Sequence, residues 1–132
     1  MVERREINPW PWSVDMGFQQ AVEVTGSQRS LYCSGQTSVD AKGEPVHEGD
    51  MLAQVNTALD NLEAVLGQAG MTLSNIVRLN MYTTDVDAFL GTLESVGQRL
   101  GAAGIAQCST LLGVQRLAYP ELMVELEATA VA

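Results

Sequence analysis

The chain reads as a single α+β domain, in the order strand, strand, helix, strand, helix, strand, strand. Three observations carry that reading. Its 132 residues suit one hydrophobic core. Its composition, 46% apolar and 17% charged, is that of a folding chain. And the spacing of its apolar residues switches repeatedly between the alternation of a strand and the three-four spacing of a helix. No internal repeat, low-complexity tract or linker divides it, so residues 1–132 are expected to form one domain.

Residues 1–16 are expected to be an extended N-terminal arm. Each proline in Pro9-Trp10-Pro11-Trp12 pushes its predecessor into extended geometry, which argues against a helix there. The two tryptophans call for burial, against the core or a neighbouring subunit. Gly17 to Val24 and Ser30 to Gln36 suit two strands, with a Gly26-Ser27 turn making them a hairpin. Asp40-Ala41-Lys42-Gly43 is a second turn signal. Leu52, Val55, Leu59, Leu62 and Leu66 then form a helical stripe. With Asp50 as N-cap and Gly70 as C′, that helix spans about residues 50 to 69.

Ile76 to Tyr82 reads as a strand. Thr84 and Asp87 resemble a capping box ahead of a second stripe, Phe89, Leu93, Val96 and Leu100, ended by Gly101. Thr110 to Val114 and Leu122 to Val131 are the last two strands, joined by a turn around Ala118-Tyr119-Pro120. Two helices can cover one face of the resulting sheet, and nothing remains for the other. In the final strand Val124, Leu126 and Ala128 alternate with Met123, Glu125 and Glu127. A half-polar face without a helix over it predicts burial against other copies of the chain, with cavities at the seams.

Charge excludes several partners. Seven Lys and Arg against 16 Asp and Glu leave a net charge of −9, and no basic patch offsets it, so nucleic acid is not an expected ligand. No stretch has the length and apolarity of a membrane span, and the charged N-terminus lacks a signal-peptide core. The expected compartment is the cytoplasm, with Cys33 and Cys108 as free thiols. One histidine and scattered cysteines predict no metal site.

Several stretches, in order and at matching spacing, resemble the reactive intermediate deaminase (Rid, or YjgF-type) family. Tyr32-Cys33-Ser34-Gly35-Gln36 resembles its Ser-Gly-Gln strand. Gln54, Leu59-Asp60-Asn61-Leu62 and Ala69-Gly70 are similar to its first helix, and Asn75-Ile76-Val77-Arg78 to the strand entry after it. Asp85 to Phe89 looks like the start of its second helix and Val124 to Ala128 like its last strand. The resemblance implies a chorismate-mutase-like subunit, a mixed sheet with two helices on one face, assembled as a homotrimer with small-molecule clefts at the interfaces. It implies no metal and no organic cofactor.

In the imine-hydrolysing members an arginine clamps the substrate carboxylate, a glutamate holds the attacking water, and a tyrosine and an asparagine line the pocket. Residue by residue, the resemblance puts the glutamate at Glu125 and the Ser-Gly backbone at Ser34-Gly35. The tyrosine position falls on Phe18, the asparagine position on Leu93 and the arginine position on Ser109. Counting back without a gap from Val114-Gln115-Arg116-Leu117 sets Ser109, whereas Glu125 needs one extra residue near Ala118-Tyr119. Charge-assisted hydrogen bonds contribute roughly 1.5–3 kcal/mol. Losing the arginine should therefore weaken imino-acid binding by roughly one to two orders of magnitude. Arg116, seven positions from Ser109, would face the other way in an uninterrupted strand, and Arg78 sits where the family often has a basic residue without a catalytic role.

Each candidate carries a plainer alternative. Glu125 either activates a water or makes structural hydrogen bonds across a subunit seam. Glu127 is half of an acid/base couple or a contact between strands. Cys108, beside Ser109, lines the pocket as an inert thiol or as a nucleophile without an evident base. His47 reads as a solvated loop residue. Ser109 with Thr110 either donates hydrogen bonds to a neutral ligand or fills vacated arginine space. Three functional classes follow: a trimer that binds, and in one version hydrolyses, a metabolite other than a simple 2-imino acid; an imine or enamine deaminase with another anchor; and a noncatalytic metabolite sensor or protein-stabilising partner. Whether the chain is an enzyme is left open by the sequence.

Overall fold

A computed structural model describes residues 2–132. A four-stranded mixed sheet is built from β3 (Ser30–Thr37), β6 (Val124–Val131), β4 (Ile76–Thr83) and β5 (Cys108–Gly113), in that spatial order. β6 runs antiparallel to both neighbours, while β4 and β5 are parallel. A parallel pair needs a crossover, and it is supplied by two short helices, α3 (Val86–Leu90) and α4 (Leu93–Ala102). The long helix α2 (Met51–Gln68) lies over β3 and β6.

The α2 boundaries agree with the sequence. Asp50 accepts from the Ala53 backbone N–H at 3.0 Å, and Gly70 takes the left-handed conformation (φ 71°) just beyond the last turn. Val55, Leu59, Leu62 and Leu66 are fully buried against Val124, Leu126, Ala128 and Ala130 of β6. Leu52, the first residue of the expected stripe, is instead exposed, and Met51 and Gln54 take the inward positions. Gln54 is fully buried and fully paired. Its amide donates to the carbonyls of His47 (3.2 Å) and Glu121 (2.9 Å) and its oxygen accepts from Met123 N–H at 2.8 Å. It ties the loop before α2 to the entry of β6.

Three expectations change. The Gly26-Ser27 turn exists, with Gly26 at φ 76°, but its flanking strands join different sheets. β2 (Ala21–Thr25) pairs antiparallel with β1 (Glu3–Ile7), inside the arm expected to be merely extended, and β3 pairs with β6. The charged arm forms a strand because its polar residues meet partners across the ladder: Arg5 lies opposite Glu23 and donates to it at 3.1 Å through two nitrogens. Farther along the arm, Trp12–Asp15 make a single helical turn, α1. Proline restricts the residue before it, not the one after, so Pro11 can open this turn with its own helical φ of −80°. Trp10 and Trp12 are 59% and 52% exposed in the single subunit, so its own core does not bury them, and of the two expected surfaces a neighbouring subunit is the one that remains. Trp12 stands edge-on to Phe18 at 5.9 Å.

The second helix is divided. Asp85, not Thr84, caps α3 by accepting from Ala88 N–H at 3.0 Å. At Gly91-Thr92 the path breaks, and the Thr92 hydroxyl donates to the Phe89 carbonyl at 2.7 Å before α4 begins. Arg99 then fastens α4 to α2, donating to Asp60 (2.6 Å), Glu63 (2.9 Å) and the Asn56 carbonyl (3.0 Å). The sheet's other face carries Tyr32, Tyr82, Glu125 and Glu127 with no helix over it, as the alternation in β6 predicts. Among the described residues no helix is long and apolar enough to cross a membrane.

Candidate functional site

Strand register divides the candidate residues between two faces. Ser109 lies opposite Leu79 on β4, in the row that faces the helices. Glu125 lies between Tyr82 and Thr37 on its two neighbours, in the open row. Leu79 and Tyr82 are an odd number of residues apart on one strand, so their partners point to opposite sides. One subunit cannot present Ser109 and Glu125 to the same small molecule.

On the helix side, Phe18, Leu93 and Ser109 line a single cleft of about 270 Å³ between the arm, α4 and the edge strand β5. Met81, Val96 and Leu100 contribute apolar wall, and none of the lining residues is charged. The arm is held there by backbone and side chain together: Gln19 N–H donates to the Gln107 carbonyl at 2.9 Å, and Asn8 bonds Gln19 Oε1 and Gln20 N–H. Gln107 is only 4% exposed. Its amide nitrogen donates to the Gly17 carbonyl at 3.1 Å and to Ser109 Oγ at 3.3 Å. Sequence reasoning passed over Gln107, although its i, i+2 spacing from Ser109 was a usable signal.

On the open side, Gly35, Tyr82, Arg116, Glu125 and Glu127 surround a second recess of about 240 Å³. Ladder register shifts between Cys33 and Gln36, so Ser34 and Gly35 form a bulge. The Glu125 carboxylate packs directly over the Gly35 Cα, in space a Cβ would occupy. Ser34 is exposed, its carbonyl accepting from the Gln36 amide at 3.2 Å. Glu127 accepts from Tyr82 Oη at 2.8 Å and from the Asn80 amide at 3.2 Å. These two bonds hold its carboxyl below the ordinary range, and the bond to Glu127, with burial, raises the Tyr82 phenol. An ionised, doubly bonded Glu127 matches the plainer reading, a contact between strands.

Arg116 faces away from Ser109, as expected, although the strand is not uninterrupted: β5 ends at Gly113. Its side chain lines the open-side recess with Glu125, across the sheet from the Ser109 cleft. Cys108 is absent from both linings. It sits in the row opposite Arg78, its thiol donating to the Val77 carbonyl at 3.3 Å. Thr110, expected to work beside Ser109, is in that same outward row, opposite Asn80. His47 is exposed in its loop, in the left-handed region at φ 64°. Among the described residues no three His, Cys, Asp or Glu side chains converge as a metal site requires.

The family profile described as Endoribonuclease L-PSP matches residues 13–132. Protein DfrA of Myxococcus xanthus is 32% identical over 116 residues, 87% of this chain and 85% of its own. A 2-iminobutanoate/2-iminopropanoate deaminase of Mus musculus is 30% identical over 79 residues, 60% of this chain and 56% of its own. The crystal structure of YyfB from Yersinia pestis, a Rid-family protein of unknown function, superposes with a TM-score of 0.84 at 40% identity, covering 98% of both chains. Profile, sequence and fold agree over nearly the whole length: the chain belongs to the Rid (YjgF-type) family.

Proposed function

We propose that this protein is a homotrimer that binds, rather than deaminates, a small uncharged metabolite in clefts completed by a second copy, and does so in the cytoplasm. The observation that carries the reading is the convergence of Phe18, Leu93 and Ser109 on one cleft without a charged residue. Those are the three positions where the family resemblance expects tyrosine, asparagine and arginine. A carboxylate entering that cleft would lose its hydration and find no cation in return. Separation of Ser109 from Glu125 by the sheet supports a site closed by another subunit, whose own Gly35 and Glu125 would face the ligand. The net charge of −9 weighs against RNA, so the ribonuclease wording of the family profile is not carried over.

The test is release of ammonia or keto acid from freshly generated 2-iminopropanoate by wild type, Ser109→Arg and Glu125→Ala. Wild type should stay near background, and Ser109→Arg should recover partial activity at most. Robust wild-type turnover abolished by Glu125→Ala would overturn the reading. Sedimentation should give a trimer, and a stable monomer at micromolar concentration would remove the shared cleft.

One observation favours a second reading. Arg116 lines the recess that holds Glu125 and could anchor a carboxylate from that side, making the protein an imine deaminase with an atypical clamp. In that case Arg116→Ala would abolish turnover as completely as Glu125→Ala.

A further inference from the structure

The cleft beside Ser109 has a polar floor whose hydrogen-bonding directions are determined by its neighbours. Gln107 is buried, and the Gly17 carbonyl can only accept, so the Gln107 Nε2 must face it and the Oε1 must face elsewhere. The second hydrogen of that nitrogen is directed at Ser109 Oγ. Among the described residues no donor engages the Gln107 Oε1, and no acceptor engages the Ser109 hydroxyl hydrogen. Both side chains rise from the same face of the chain, two residues apart, into a cleft whose other walls include Phe18, Met81, Leu93, Val96 and Leu100. The floor thus offers one unused acceptor and one unused donor, side by side and without charge.

We infer that this floor recognises a neutral amide-type head, a carboxamide or a lactam, carried on a small apolar body. The Ser109 hydroxyl donates to the ligand carbonyl and the Gln107 Oε1 accepts from the ligand N–H, while the body packs against the apolar walls. A carboxylate offers two acceptors and no donor. It would leave the Gln107 oxygen facing a negative charge with no cation nearby, and a site built for hydrogen bonds discriminates sharply against groups that leave its own polar atoms unpaired. Gln107 is then a specificity-determining residue. The inference deepens the proposed function and rests on it, since the ligand occupies the same cleft.

A matched pair of probes separates the two. Titrate the assembled protein with 3-methylbutanamide and with 3-methylbutanoate at neutral pH, following backbone and methyl resonances of Phe18, Leu93 and Val96. The amide is expected to bind at least about tenfold more tightly than the acid, the ratio one to two hydrogen bonds provide. Ser109→Ala and Gln107→Leu should each weaken the amide roughly five- to tenfold. Ser109→Arg should invert the preference towards the acid. Because Gln107→Leu also cuts the tie to Gly17, Ser109→Ala is the variant that decides if the arm loosens. Equal or tighter binding of the acid overturns the inference while leaving a metabolite cleft in place. So does an amide preference that neither substitution reduces. Binding of neither probe also overturns it, whereas robust imine turnover would overturn the proposed function without touching the amide preference.

Discussion

Glu125 lies with its carboxylate stacked on the Cα of Gly35, so closely that even a methyl group there would overlap it. Gly35 is therefore glycine for room and not for backbone conformation, since its φ is not in the left-handed region. Gly35→Ala must rotate the Glu125 side chain away. We expect a cost of about 1–2 kcal/mol, within the range for overpacking. Urea denaturation of Gly35→Ala, Glu125→Ala and the double variant checks this. In the Glu125→Ala background most of the cost should vanish, and additive losses would show that the overlap is relieved elsewhere.

Glu127 and Tyr82 predict an acid-sensitive contribution to stability. The Tyr82 and Asn80 hydrogen bonds put the folded-state pKa of Glu127 below its ordinary value of 4.5, so on acidification the unfolded chain takes up the proton first. The stabilisation is fully present above 4.5 and disappears as the pH falls through Glu127's own lower value. Tyr82→Phe removes the larger cause. The stability gap between wild type and Tyr82→Phe should be steady from pH 7 to 5 and narrow towards pH 3. A gap independent of pH would mean that the phenol acts by packing alone.

Gln54 is the buried polar residue whose loss should be most costly. Gln54→Leu keeps the volume but strands the Met123 N–H and the carbonyls of Glu121 and His47. Leaving buried groups unpaired costs about 1–3 kcal/mol each, with partial relief from water, so a total of about 2–4 kcal/mol is expected in denaturant titrations. Amide exchange at Met123 should accelerate with it. Unchanged protection at Met123 would show that the loop does not depend on Gln54.

Arg99 joins α4 to α2 through two carboxylates and a backbone carbonyl. The carboxylates are largely solvated, at 66% and 48% side-chain exposure, so each ion pair alone should contribute under about 1 kcal/mol. Arg99→Ala, which also removes the bond to the Asn56 carbonyl, should cost about 1–2 kcal/mol. Asp60→Asn should cost less than half of that. The same thermal or urea series reads both, and equal losses would mean that the Asp60 pair dominates.

Much of the fold was legible because local physics specifies it. α2 announces itself by the Val55–Leu66 stripe between Asp50 and Gly70, since an amphipathic face and its caps are properties of neighbouring residues. The alternation in β6 likewise announced one buried row and one open row before any partner was known. The sequence also placed Phe18, Leu93 and Ser109 together, through the family resemblance rather than through spacing, and the three do line one cleft.

Only tertiary structure decided who pairs with whom. Alternation marks a strand but carries no information on its partner, so β2 could be predicted and still be assigned to β3 instead of β1. The break at Gly91-Thr92 and the turn after Pro11 depend on bonds such as Thr92 to Phe89 that compete with a continuous helix or arm. For the site, register was decisive. It sent Ser109 and Glu125 to opposite faces and brought Tyr82 to Glu127. Chain closure also brought the Gly17 carbonyl of the arm to the buried amide of Gln107, and Arg116, beyond the end of β5, to the recess of Glu125. Residues distant in sequence become neighbours only when the chain closes. Which polar atoms are paired, and which are left for a ligand, is settled at that step.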